Sequence, residues 1–88
     1  MDINKLTNIV KDKLIKNIKI KQIKIDDRTF LHKKHSSHQK GKFHIRIKLK
    51  SDELNKMNKI QSNRRIYKIL SHEIENYIHS IEIDLLKF

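Results

Sequence analysis

Phe43-His44-Ile45-Arg46-Ile47-Lys48-Leu49-Lys50-Ser51-Asp52-Glu53-Leu54 is the stretch on which the fold turns. Phe43, Ile45, Ile47 and Leu49 alternate with His44, Arg46, Lys48 and Lys50. A period of two puts the first set on one face of a strand and the second on the other. The pattern predicts a half-buried strand with one basic, solvated face, and it leaves His44 in water. Ser51 ends the alternation. Its hydroxyl suits the N-cap of a helix, and Asp52 and Glu53 complement the positive end of that helix.

Toward the N-terminus, Ile20, Ile23 and Ile25 predict a strand over about 20–26, with a phase slip at Lys21 and Gln22. Before it, Ile3, Leu6, Val10 and Leu14 recur at helical spacing, with Asp2 placed to cap the first turn. Toward the C-terminus, Leu54, Met57 and Ile60 predict one short helix with a buried face. Ile66, Ile69, Leu70, Ile74 and Tyr77 predict a longer one, on which His72 is solvated. His79, Ile81, Ile83 and Leu85 then alternate as a third strand, with His79 in phase with the core and Ser80, Glu82 and Asp84 opposite. The order is α-β-β-α-α-β, an α+β fold in which helices cover one face of a three-stranded sheet.

Between the first two strands, about Asp26 to Lys42, there is no periodicity. This stretch holds Gly41, the one glycine, and three of the six histidines, His32, His35 and His38. A loop this long in a small domain is often functional. Asp27 and Thr29 are placed to organise its first turn through side-chain bonds to the backbone.

The chain has 88 residues, enough for one hydrophobic core, and residues 1–88 are expected to form a single domain. It has no cysteine, so it forms no disulfide and no thiolate metal site of its own. No apolar run reaches the roughly 20 residues that span a bilayer. No targeting segment is apparent, so a cytoplasmic location is expected, with a mitochondrial or other organellar one also open. The formal net charge of +11 attracts nucleic acid, anionic surfaces or acidic protein faces. However, the lysines are spread along the whole chain, which is equally the pattern of an ordinary solvated surface. Neither a nucleophilic cysteine nor a glycine-rich phosphate loop is present, and no carboxylate pair stands beside a histidine at a recognisable spacing. The chain is therefore not expected to be an enzyme. The spacing His32-x-x-His35-x-x-His38 is a weak indication of zinc or copper.

Four pieces resemble the BolA family. Asp27-Arg28-Thr29-Phe30-Leu31-His32 resembles its Asp-x-Ser-x-x-His stretch, and Phe43-His44-Ile45-Arg46-Ile47 its second strand. Ser51-Asp52-Glu53-Leu54 resembles its Ser-x-x-Phe helix start. Arg64-Arg65-Ile66-Tyr67-Lys68-Ile69-Leu70, followed by His79-Ser80-Ile81, resembles its Arg-x-x-Tyr-x-x-Leu helix and its His-Ala-Leu. The resemblance runs over about residues 20–85. It departs from the family at Lys42, where Ser-His is usual, at Leu54-Asn55-Lys56 for Phe-x-Gly, and at Ser62-Asn63-Arg64 for Arg-His-Arg.

The resemblance implies a class II KH-like topology and an adaptor that pairs with a monothiol glutaredoxin around a shared [2Fe–2S] cluster. The partner would supply glutathione, and this chain would hold no cofactor alone. His79 would be one cluster ligand and His32 the second, with His35 and His38 as alternatives. A KH-like nucleic-acid-binding or transcriptional role is the other expectation. In either case Arg64, Arg65 and Lys42 are the candidate surface for a partner or nucleic acid. Nucleic-acid binding is expected to be weak, because the Gly-x-x-Gly clamp is missing and stacking aromatics are sparse. A monomer is expected in isolation, with no membrane association.

Overall fold

Asp2 caps the first helix, its carboxylate accepting from the Lys5 backbone N–H at 2.8 Å. In the computed structural model, which describes residues 1–29 and 42–86, this helix is α1, Ile3–Asn17. Leu6, Val10 and Leu14 form its buried stripe. The chain turns at Ile18–Lys21 and enters β1, Gln22–Asp27, so the slip near Lys21 is the start of the strand. Strand β2 is Phe43–Lys50, as its alternation predicts. Ser51 does cap α2: its hydroxyl accepts from the Leu54 N–H and donates to the Lys19 carbonyl at 2.6 Å.

The helical region differs from the expectation in two places. Helix α2, Asp52–Asn55, is a single turn. Asn58 starts a new helix, α3, Lys59–Ile69, with a reciprocal capping box between Asn58 and Gln61. That restart rotates Ile60 away from the core. Its side chain is 65% exposed, while Leu54 is buried and Met57 half-buried. The predicted longer helix also breaks, at Leu70, where φ −98° and ψ 15° leave the helical region. Helix α4, Ser71–Asn76, follows. The bend lets Leu70 point into the core and brings Glu73, only 3% exposed, against Lys13 of α1. The Lys13 ammonium donates to both Glu73 carboxylate oxygens, at 2.9 and 2.7 Å.

Strand β3, Ile78–Leu85, completes a mixed sheet of order β1-β2-β3. Strands β1 and β2 are antiparallel, and β2 and β3 are parallel. A parallel neighbour needs a long crossover, which α2, α3 and α4 provide. The partners Ile25–Ile47–Ile83 and Ile23–Leu49–Leu85 set the core face. Against it pack Leu6, Val10 and Leu14 of α1, Leu54 of α2, and Ile66 and Leu70. The opposite face carries Asp26, Arg46 and Glu82 side by side, then Lys24, Lys48 and Asp84. Arg46 pairs with Asp84 and Glu82, and Lys48 with Asp26, so this face is not the basic surface the β2 alternation predicts. Lys24 is exposed on this face beside Asp26, and further exposed cations lie elsewhere, among them Lys5, Lys11 and Lys16 on α1 and Lys59, Arg64 and Lys68 on α3.

Candidate functional site

One end of the sheet gathers the end of β1 and the starts of β2 and β3. Hydrogen bonds hold all three there. The Arg28 N–H donates to the His44 carbonyl at 2.7 Å, and the Phe43 N–H to the Tyr77 carbonyl at 2.9 Å. Thr29 works as a relay. Its N–H and hydroxyl both donate to one Asp27 carboxylate oxygen, at 2.9 and 2.5 Å. The same hydroxyl accepts from the His44 N–H at 3.2 Å. Asp27 and Thr29 thus organise the turn after β1 as their sequence predicts.

His79 stands at this end, but its phase is not the predicted one. Phe43 pairs with Ile78, whereas His44 pairs with Ser80, so His79 is an extra residue in β3, a bulge in a parallel pair. The slip gives the core positions to Ile78 and Ile81. His79 is released from the core face and is exposed.

His44 is the second correction. It is not solvated but 4% exposed. Its Nδ1 lies 2.6 Å from the Ser80 hydroxyl, and its ring centroid lies 4.8 Å from that of His79, the planes tilted by 59°. Two imidazoles and a hydroxyl therefore form one cluster, with His44 inside and His79 outside. Period-two reasoning places His44 on the outer face correctly, yet it does not show that Ser80 and His79 close over it. His72 is exposed as expected, beside Asn76 and Tyr77.

The loop histidines His32, His35 and His38 lie outside the described residues. Lys42 is at the His79 end, its ammonium donating to the Glu75 carbonyl at 3.3 Å. Arg65 is at the other end of β2, bound to Glu53 at 2.7 Å and to the Asn17 carbonyl at 2.8 Å. Arg64 is exposed on α3 with no such tie among the described contacts. Lys42 thus stands apart from Arg64 and Arg65, which line one shallow depression together with Lys68. Among the described residues, no group of three or more histidine, aspartate or glutamate side chains is arranged to hold a metal ion. No described helix is long and apolar enough to cross a membrane.

A mixed three-stranded sheet backed by helices, with a bulged histidine at one end, defines a small α+β class of domain. The family model described as BolA-like protein matches residues 14–87, which is most of the chain. The chain belongs to the BolA-like family. Among solved structures it is similar to BolA1 from Arabidopsis thaliana, at 22% identity and a TM-score of 0.73, covering 89% of this chain and 86% of that one. The BolA domain of SufE1 from Arabidopsis thaliana gives 20% identity and a TM-score of 0.75, with coverage of 89% and 86%. BolA1 from Mus musculus gives 18% identity and a TM-score of 0.71, with coverage of 88% and 60%. At these identities the likeness speaks for the fold alone. No curated protein sequence matches the chain significantly.

Proposed function

We propose that this chain is a non-catalytic adaptor that pairs with a monothiol glutaredoxin and shares a [2Fe–2S] cluster with it, in cluster trafficking or iron regulation. The observation that carries the proposal is His79, an exposed imidazole that a bulge has turned away from the core at the end of the sheet. A neutral imidazole nitrogen can replace thiolate on one iron of such a cluster and raises its potential. The donor set fits a shared group. The chain has no cysteine, so the thiolate side must come from the partner, together with glutathione.

In this proposal His79 binds one iron of the pair, and its hold on the chain is rigid because Phe43 and Tyr77 fix the backbone just before it. Thr29, the last described residue before the segment that carries His32, is fixed at the same end, which favours His32 as the second donor, with His35 and His38 as alternatives. The buried His44 beside His79 keeps a second imidazole within the same cluster of side chains.

The test is to titrate the chain into cluster-loaded monothiol glutaredoxin, following visible circular dichroism and size exclusion. A changed spectrum and a heterodimer are expected. An unchanged spectrum without a heterodimer removes the proposal. His79→Ala should abolish the change, and a wild-type response from that variant would remove His79 as a ligand. A second reading, weak nucleic-acid binding, draws on Arg64 and Lys68, exposed on α3 beside the exposed Tyr67.

A further inference from the structure

His79 is exposed, yet it has a neighbour that an isolated surface histidine would lack. Left alone, its side chain would divide among staggered rotamers. The His44 ring lies 4.8 Å away at 59°, within the range in which tilted aromatic rings attract. His44 itself has little freedom. It is buried, its backbone is bonded on one side to Thr29 and on the other to Arg28, and its Nδ1 is tied to the Ser80 hydroxyl. That last bond fixes the ring plane, which packing alone leaves broad for a torsion of this kind. Ser80 keeps the outer-face phase of Glu82 and Asp84, which sets it opposite His44 of β2. The extra residue therefore presents His79, and the regular alternation that follows it puts the tether of its support in place.

We propose that His44 is a positioning residue for His79: locked by Ser80, its ring is the wall against which the His79 imidazole rests, so His79 meets an incoming partner's iron in one orientation. The proposal rests on the shared-cluster reading of His79. Ordering a ligand side chain before association lowers the entropic cost of association. Groups that orient a metal-binding histidine typically change metal affinity about 10–100-fold when removed.

The test uses the full chain and two readouts. The first is the set of three-bond couplings that report χ1 of His79 in the isolated protein. In the wild type they should report one rotamer. In Ser80→Ala and His44→Ala they should be averaged, with the amide spectrum of the core unchanged. The second readout is the titration into cluster-loaded monothiol glutaredoxin. There His44→Ala should need about tenfold more protein for half the spectral change, and Ser80→Ala should fall between it and wild type. Averaged couplings in the wild type overturn the proposal. So do wild-type couplings in the folded variants, or a spectral change at wild-type concentrations. If His44→Ala does not fold, Ser80→Ala decides, since it removes only a hydroxyl from an exposed residue. If the wild type leaves the cluster spectrum unchanged, the shared-cluster reading fails, and the couplings alone decide whether His44 positions His79.

Discussion

Lys13→Met isolates the contact that docks α4 against α1. The substitution keeps most of the aliphatic stem and removes the ammonium. Glu73 is then a carboxylate at 3% exposure that has lost both of its hydrogen bonds from Lys13. Breaking a fully buried ion pair costs about 3–5 kcal/mol. Lys13 is 39% exposed, however, so water reaches one side of the pair and screens it. The expected loss is about 2 kcal/mol, near that of an unsatisfied buried acceptor. For a domain of this size that corresponds to a fall in Tm of roughly 8–16 °C. Thermal melts followed by far-ultraviolet circular dichroism measure it.

The decisive comparison is Lys13→Met combined with Glu73→Leu. If the loss comes from a stranded charge, the double variant should melt nearer to wild type than Lys13→Met alone, because removing both partners of a buried pair is close to neutral. A Lys13→Met variant that melts with wild type, or a double variant that loses the sum of both single effects, would refute the reasoning. The result bears on the site as well. The Glu73 carbonyl accepts from the Tyr77 N–H at 2.8 Å, and Tyr77 leads directly into Ile78 and His79. Loosening α4 should therefore also broaden the His79 resonances.

Ser51→Ala removes a cap and the bond to the Lys19 carbonyl together, and should cost about 1–2 kcal/mol in urea denaturation; an unchanged midpoint would deny Ser51 its double role. Arg64→Ala should leave stability unchanged and lower the slope of log affinity against log salt for single-stranded nucleic acid by about 1, whereas Arg65→Ala should lower Tm because it breaks the ties to Glu53 and Asn17. Equal effects of the two on nucleic-acid binding, with no loss of stability for Arg65→Ala, would contradict their different surroundings.

The strands and the first caps were legible because each depends on residues close together in the chain. Period two runs unbroken from Phe43 to Lys50, and Asp2 and Ser51 cap turns that begin beside them. The helical restart is legible too, in a pattern other than apolar spacing. Asn58-x-x-Gln61 is a capping-box spacing, and it outweighs the apolar spacing of Leu54, Met57 and Ile60. The break at Leu70 has no local mark of that kind, since neither glycine nor proline is near it. It accompanies the burial of Leu70 and the pairing of Glu73 with Lys13, a contact across most of the chain.

At the site, His79 could be singled out by resemblance, but not its exposure. His79, Ile81, Ile83 and Leu85 form a faultless alternation, and only the pairing with β2 shows that the first member is out of step. His44 and Ser80 were missed for the same reason. They are neighbours through a register that joins two distant strands, and no spacing within either strand encodes it.

The parallel pairing of β3 has a kinetic consequence. Strands β1 and β2 are sequence neighbours and can meet early, but β3 finds β2 only after α2, α3 and α4 have crossed the sheet. Pairings between distant segments are slow to form because loop closure must come first. The imidazole pair is thus absent from any chain whose last strand is still undocked, including one still emerging from synthesis. It is also lost whenever β3 peels away while the remaining core holds. Hydrogen exchange of the Ser80 and Ile81 amides would then report how often the His79 end of the molecule is open, separately from global unfolding.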